Sequence, residues 1–353
     1  MRDFPSKPRW RWSPPDRSPK LPRPAPAVAY CFLTPLCVMK NKSAGFTYAP
    51  AEFIPFRDLA VIRRIRKIKK EDITRHWNPD FRISVYPDAD IEFLWMTEMF
   101  CRIKTAMEAG KTLVMIMPNP WPNYQKLAAL INKSRIDCRR LYTFNMDEYA
   151  NEKGEIAPES WPFGFMHAFK KYFWSQLDRS LRPPERQIQG PTNKNIRHYG
   201  QMIADLGGAD VCYSGPGWAG HLAFIDPGAP EFAAASLEEW KQMGPRVCTL
   251  HPLTIAQNSL HGSFGMSGDL AAVPPKAATI GPAEVIAAKN RIDIHAITID
   301  GSFASWQRFT TRLALHGPVT PLVPQSVLQT LRTDVWLSES IAENIEPRWN
   351  KGY

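Results

Sequence analysis

The chain has 353 residues, of which 44 are Lys or Arg and 34 are Asp or Glu, so its formal net charge is +10. The excess is local, because residues 1–75 hold 17 of the basic residues but 6 of the acidic ones, which leaves the remainder near neutral. No run of 18 or more apolar residues is present, so no membrane-spanning helix is expected. Six scattered cysteines without a CxxC pair and eight histidines without an HxxxH pair argue against disulfides and a bound metal, and they suit a cytoplasmic protein.

The first 38 residues do not resemble a folded domain. Residues 1–26 are rich in Pro, Arg and Ser, a composition that cannot bury enough apolar surface to offset ordering, so we predict disorder. The apolar run at 27–38 is interrupted by Pro35 and is too short to cross a bilayer. Translation that begins at Met39 is an equally simple interpretation.

A basic run at Val61–Lys70 follows. Such runs can bind nucleic acid or anionic lipid, but this one lacks the interleaved aromatic residues of single-strand binders. We therefore expect a solvated surface, with neither nucleic acid nor membrane as a partner. The sequence predicts a basic, Pro-rich and largely disordered extension at 1–75 and one catalytic domain at 80–345.

Beyond residue 80, short apolar runs alternate with helical patterns. Strands are predicted at Ile83–Tyr86, Leu113–Met117, Leu141–Phe144, Val211–Ser214, His295–Ile299 and Val335–Leu337,. Helices are predicted at about 91–109, 124–133, 161–177, 195–206, 303–315 and 325–331,. This alternation predicts an α/β fold with a mostly parallel, Rossmann-like sheet inside a three-layer αβα sandwich.

Two of the predicted strands run into polar turns. The segment Leu141–Tyr149 ends in the adjacent carboxylates Asp147 and Glu148, and side chains at the carboxyl ends of parallel strands can reach a ligand. Val211–Asp226 carries three glycines that permit tight turns and then His221, the side chain best able to exchange protons near neutral pH. Each segment alone also fits a structural role. Together they predict an acid/base site.

The two segments resemble the glucosamine-6-phosphate deaminase/isomerase family, with its FNMDEY-type acid motif and GxGxDGHxAFNEP-type histidine loop. The resemblance extends to Pro158–His167 and to the stretch 317–329, and it spans roughly 83–343. It implies that Asp147 moves a proton between adjacent carbons of an open-chain sugar and that His221 assists ring opening. It further implies catalytic roles for Glu148 and Asp226. It also implies a sugar or sugar-phosphate substrate, no cofactor and a possible homo-oligomer.

The chain departs from the family at its phosphate site. The loop that would wrap the phosphate, Met117–Asn123, holds three prolines and no glycine, so it lacks backbone N–H donors. Arg246 matches one basic residue of the family, but Cys248, Leu260 and Ala304 stand where the others would be. We therefore predict poor binding of a sugar 6-phosphate. Asn119, Trp121, Gly217, Gly220 and Arg246 are the expected substrate-binding residues, with the Trp121 ring stacked on the sugar.

The histidine loop departs as well. Ala219 replaces an aspartate of the family, and the shorter Asp226 replaces a glutamate, so we expect His221 to be less firmly held. Two alternatives therefore stay open. The chain could be a sugar-binding or regulatory homologue with impaired catalysis, or a hydrolase similar to 6-phosphogluconolactonase. The second is disfavoured because that family has a DER-type motif where this chain has Asp147-Glu148-Tyr149.

Overall fold

The computed structural model describes residues 41–43, 46–118, 121–296 and 307–349, all within a compact unit spanning Met39–Tyr353. Its strands are β1 Asn41–Ser43, β2 Phe46–Tyr48, β3 Phe81–Tyr86, β4 Leu113–Met117, β5 Leu141–Asn145, β6 Asp147–Ala150, β7 Ile188–Gln189, β8 Val211–Ser214, β9 Arg246–Thr249, β10 Lys276–Thr279, β11 Arg291–His295 and β12 Thr333–Ser338. Its α-helices are α1 Leu59–Arg66, α2 Ile91–Glu108, α3 Tyr124–Lys133, α4 Phe165–Tyr172, α5 Tyr199–Ala204, α6 Leu237–Lys241, α7 Pro252–Asn258, α8 Pro282–Ala287, α9 Arg308–His316 and α10 Glu339–Ala342.

A seven-stranded sheet forms the centre of the fold, in the order β3-β12-β11-β8-β4-β5-β7. Every neighbouring pair in it is parallel. Successive side chains of a strand point to opposite faces, and β4 shows this directly. Leu113, Met115 and Met117 belong to one buried cluster, whereas Val114 and Ile116 belong to another. The predicted three-layer αβα sandwich is confirmed.

A second, smaller sheet is antiparallel and has the strand order β6-β10-β9. Its strand β6 begins at Asp147, two residues after β5 ends. Thr279 of β10 pairs with Asp147 on one side and with Arg246 of β9 on the other. The acid motif therefore lies where the chain leaves the carboxyl end of a parallel strand and enters the second sheet.

One predicted strand is misplaced. The strand expected at His295–Ile299 lies at Arg291–His295 instead, and residues 297–299 fall outside the described part of the chain. The prediction was wrong because Arg291 and Asp293 made the true strand look too polar to be buried. In the fold the Asp293 side chain is paired, with its Oδ2 2.8 Å from His295 Nε2.

Three predicted helices are shorter than expected or are 3₁₀-helical. The helix expected at 161–177 is α4 followed by a 3₁₀ turn at Trp174–Gln176, and the one expected at 195–206 begins as a 3₁₀ turn at Ile196–His198. The helix expected at 325–331 is a 3₁₀-helix at Pro324–Thr330. The segment 303–306 lies outside the described residues, so only the later part of the helix expected there, α9, can be compared.

Helix α1 lies within the segment that the sequence assigns to an extension. Its Ile65 is fully buried in a cluster with Leu313 and Val323. The Arg64 guanidinium donates to the backbone oxygen of His316. Apolar residues at helical spacing in the basic run form this packed face, so the folded body begins before residue 80.

No helix in the described ranges is long and apolar enough to cross a membrane.

Candidate active site

Asp147 is the carboxylate of the acid motif that lacks a hydrogen-bonding partner among the described residues. It is 3% exposed, and none of the described residues donates a hydrogen bond to its carboxylate. Burial raises the pKa of Asp147 well above its usual range, and the neighbouring charge of Glu148 raises it further. A carboxyl group with a raised pKa can both accept and return a proton near neutral pH.

Glu148, for which a catalytic role was predicted, is held by backbone hydrogen bonds. Its carboxylate accepts hydrogen bonds from the backbone N–H groups of Tyr149 at 2.9 Å, Phe165 at 3.0 Å and Met166 at 2.8 Å. Phe165 and Met166 open helix α4, whose first N–H groups have no partner within the helix. Burial raises the pKa of Glu148, while these three hydrogen bonds oppose that rise. Glu148 therefore anchors α4 behind Asp147 and positions the acid motif.

His221 is held by Asp226, the shorter carboxylate that stands in place of the family's glutamate. The ring Nδ1 lies 3.1 Å from Asp226 Oδ1, and both side chains are buried. Asp226 is fixed in turn by the Thr254 hydroxyl, which donates to Oδ1 at 2.7 Å. The backbone N–H of His251 donates to the other oxygen, Oδ2, at 2.7 Å. Asp226 is thus long enough to orient the imidazole, with Thr254 as a partner that the sequence did not reveal.

The other ring nitrogen of His221 faces Gly217. A Cβ at that position would lie 2.5 Å from His221 Nε2 and 2.8 Å from Gln257 Oε1. Gly217 also has φ +54°, a left-handed conformation that favours glycine,. This residue therefore meets two separate requirements, the backbone turn and the space for the imidazole.

Hydrogen bonds from distant segments of the chain hold the backbone of the histidine loop, residues 215–226. Gln257 of α7 accepts from the Trp218 N–H at 2.7 Å, and Thr310 of α9 donates to the Trp218 oxygen at 3.0 Å. The N–H of Gln325 donates to the Gly220 oxygen at 3.0 Å. The loop conformation is consequently fixed by the C-terminal part of the fold.

Phe224 brings the acid motif and the histidine loop together. Its ring centroid lies 5.8 Å from that of His221 and 5.9 Å from that of Tyr149. Its N–H donates to the hydroxyl of Thr279 at 3.1 Å, the residue paired with Asp147 across the small sheet. The two motifs that were predicted separately therefore both contact Phe224.

The predicted substrate-binding residues differ in how well they fit that role. Gly217 and Gly220 lie in the histidine loop, and the Trp121 ring packs 5.1 Å from that of Trp95. Asn119 lies outside the described residues. The Arg246 guanidinium donates to the backbone oxygens of Glu231 and Gly244 and stacks on Phe232, so its observed contacts are structural.

Thr254, Gln257 and Asn258 were missed by sequence reasoning. They lie at positions i, i+3 and i+4 of α7, and all three are buried. Three buried polar residues at this spacing mark a helix face turned toward polar partners. That spacing is the signal that could have found them. In the described part of the chain, no group of three His, Cys, Asp or Glu side chains could hold a metal ion.

Comparison with protein-family models gives no match, but individual proteins are similar. The glucosamine-6-phosphate deaminase of Caenorhabditis elegans is 31% identical over 225 residues, which cover 62% of this chain and 72% of that protein. That of Porphyromonas gingivalis is 26% identical over 270 residues, or 74% of this chain and 92% of the relative.

Solved structures share the fold. A monomeric glucosamine-6-phosphate deaminase matches with a TM-score of 0.59 at 19% identity, covering 74% of this chain and 98% of that one. The 6-phosphogluconolactonase of Leishmania guyanensis matches with a TM-score of 0.52 at 10% identity, covering 75% of this chain and 98% of that one.

Proposed function

Because this chain belongs to the glucosamine-6-phosphate deaminase family, we propose that it is a sugar isomerase or deaminase in which Asp147 is the proton-transferring residue. The observation that carries the proposal is the buried Asp147 carboxylate, which has no bonding partner among the described residues, in a motif linked through the Phe224 ring to the histidine held by Asp226. A residue with only a structural role would have its carboxylate occupied, as that of Glu148 is.

The reaction divides between the two motifs. His221, oriented by Asp226, takes the proton of the sugar O1 hydroxyl and returns one to the ring oxygen, so that the C1–O5 bond breaks and an aldehyde forms. Asp147 then removes the proton from C2 and delivers it to C1, while the proton of the C2 hydroxyl or amino group passes to O1. The product is a ketose or, from an amino sugar, a C2 imine. Water adds to that imine, and ammonia leaves.

The substrate is a small sugar or sugar phosphate, and the chain's departures from the family favour a form without a 6-phosphate. Cys248 is fully buried with its thiol directed to the Phe224 oxygen at 3.2 Å, and Leu260 is apolar. Two N–H groups of Arg246 are committed to backbone oxygens. Each charge-assisted hydrogen bond is worth roughly 1.5–3 kcal/mol, so losing several weakens phosphate binding strongly. Cytoplasmic location and homo-oligomerisation stay predictions.

The test of the proton-transfer role is Asp147→Asn, which keeps the shape of the side chain but removes the base. We expect kcat to fall by at least about 10²-fold, measured as ketose and ammonia formation. Asp80→Asn, at an exposed position, is the matched control and should leave kcat unchanged. Equal turnover by wild type and Asp147→Asn would refute the assignment. Binding of the sugar by the wild type without turnover would favour the sugar-binding alternative.

Steady-state kinetics on glucosamine and glucosamine 6-phosphate test the substrate preference. We expect the phosphorylated sugar to be the poorer substrate. A kcat/KM of about 10⁴ M⁻¹s⁻¹ or more on glucosamine 6-phosphate, within the ordinary enzyme range, would contradict this expectation. It would mean that other residues of the chain supply the phosphate site.

A further inference from the structure

Two buried carboxamides stand out for having no hydrogen bond to either side-chain atom. Among the described residues, Asn145 and Asn258 each leave both Oδ1 and Nδ2 unpaired, although they are 1% and 0% exposed. A buried polar group without a partner destabilises the folded state, and native proteins contain few of them. Two such amides therefore call for a partner that the described residues do not supply.

Asn258 lies on the face of α7 that contacts the histidine loop. One turn earlier on the same face, Thr254 donates to Asp226. The adjacent Gln257 accepts from the Trp218 N–H. Residues at i, i+3 and i+4 share one helix face, so Asn258 belongs to the surface that supports His221. Among Thr254, Gln257 and Asn258, it is Asn258 whose side-chain polar atoms both lack a hydrogen-bond partner in the described part of the chain.

Asn145 occupies the matching place beside the acid motif. It is the last residue of β5 and lies two residues before Asp147. Its backbone oxygen accepts a hydrogen bond from the Tyr199 hydroxyl at 2.9 Å, which fixes the main chain there while the side-chain amide stays unpaired. Each catalytic motif thus has an unpaired carboxamide on an element that supports it.

The hydrogen-bond donors and acceptor of a carboxamide determine which ligand groups can pair with both of its polar atoms. An amide offers N–H donors and a carbonyl acceptor, and a sugar hydroxyl can both accept and donate. A phosphate dianion only accepts, so it would leave each Oδ1 unpaired. We propose that Asn145 and Asn258 bind hydroxyl or amino groups of the sugar next to the proton-transferring residues. This inference rests on the proposed function.

Access to these amides requires the site to open. Asp147 and His221 are themselves only 3% and 7% exposed, so the catalytic side chains and the carboxamides are covered together.

The test is Asn258→Leu, which keeps the size of the side chain and removes both polar atoms. Replacing an unpaired buried polar group by an apolar one of similar shape is neutral or stabilising. The free protein should therefore melt at the same or a slightly higher temperature. KM for the sugar should rise at least about tenfold, equivalent to about 1.4 kcal/mol, while kcat changes less.

Tyr124→Phe is the matched control. The Tyr124 hydroxyl is also buried and unpaired, but its ring contacts Phe169 and Phe173 on the other side of the central sheet from the histidine loop's cluster. Its removal should likewise preserve or raise the melting temperature, and KM should stay the same. The probes are glucosamine, glucosamine 6-phosphate and the open-chain polyol glucitol, followed by thermal shift and, for the two amino sugars, by kinetics.

The outcomes separate this inference from the proposed function. Unchanged KM and unchanged ligand-induced melting shifts in Asn258→Leu, with normal wild-type turnover, overturn the inference alone. So does a clear loss of stability in Asn258→Leu that Tyr124→Phe does not share, because it would reveal an internal partner such as bound water. Loss of the melting shift in Asn258→Leu, in a protein whose wild type binds the sugar without turnover, supports the inference and overturns the proposed chemistry.

Discussion

Thr254→Val should weaken both the fold and the histidine relay, because one hydroxyl serves both. The Thr254 hydroxyl donates to Asp226 Oδ1 at 2.7 Å and lies 3.4 Å from His221 Nδ1. Valine has nearly the same shape but cannot donate. Asp226 would keep its hydrogen bonds with the His251 N–H and the His221 imidazole. We therefore expect the His221–Asp226 pair to persist but to be less firmly positioned.

The magnitude follows from the kind of hydrogen bond lost. A buried hydrogen bond to a charged group contributes about 1.5–3 kcal/mol. For the unit spanning Met39–Tyr353, an unfolding entropy of about 2.1 cal/mol/K per residue converts a loss of about 2 kcal/mol into a fall in Tm of about 3 °C. Turnover of cyclic sugars should fall by about tenfold, and that of an open-chain substrate should fall less because it bypasses ring opening.

The assay combines thermal unfolding with kinetics on cyclic and open-chain sugars, and Thr254→Ser is the matched variant. Serine keeps the hydroxyl and should retain most of the activity while losing the contacts of one methyl group. The reasoning fails if Thr254→Val and Thr254→Ser have the same kinetics, or if Thr254→Val slows both substrate forms equally. Either result would show that the hydroxyl does not act through the histidine.

Three further outcomes are expected. Gly217→Ala should reduce kcat at least tenfold, because its Cβ would lie 2.5 Å from the His221 ring. Gly228→Ala is the control, since Gly228 also has a positive φ but has open space around it. This variant should alter stability without altering kcat. Ile65→Ala should cost about 2–5 kcal/mol of unfolding free energy in urea titrations, and exposed Arg63→Ala should cost less than about 0.5 kcal/mol; equal effects would mean that α1 is not packed on the body. Burial lowers the pKa of His316 to about 4, below its unfolded value of about 6.5, so the unfolded state binds more protons in this window. The stabilising contribution of the neutral, buried His316 should therefore be complete above about pH 6.5 and be lost as the pH falls toward 4. Over that range, the urea midpoint of His316→Gln should fall less than the wild-type midpoint does.

The acid motif and the histidine loop could be recognised from the sequence because their residues lie in short, continuous segments. The segment ending in Asp147 and the spacing from His221 to Asp226 can be read directly from the chain, and the structure brings both together around Phe224. The alternation of strands and helices likewise predicted the three layers. Local pattern is sufficient where each element buries its own apolar face.

Predictions failed where polar side chains are satisfied by distant partners. Asp293 and His295 are fully buried because they bond each other and Ser214 and Thr311, and no short pattern shows such pairing. Thr254 reaches Asp226 across 28 positions of sequence for the same reason. The contacts of Glu148 with the first N–H groups of α4 could not be predicted either, because a buried carboxylate that caps a helix cannot be told from a catalytic one by sequence alone.

The anchoring of the histidine loop by later parts of the chain has a consequence for how activity arises during synthesis. The oxygens of Trp218 and Gly220 are held by Thr310 and Gln325, which are translated about 90 to 105 positions later. Contacts of such long sequence separation carry a loop-closure cost and form late in folding. A nascent chain that ends before α9 can build the acid motif and its strand, but it lacks the supports of the histidine loop. We therefore expect competence for ring opening to be the last property that the folding chain acquires.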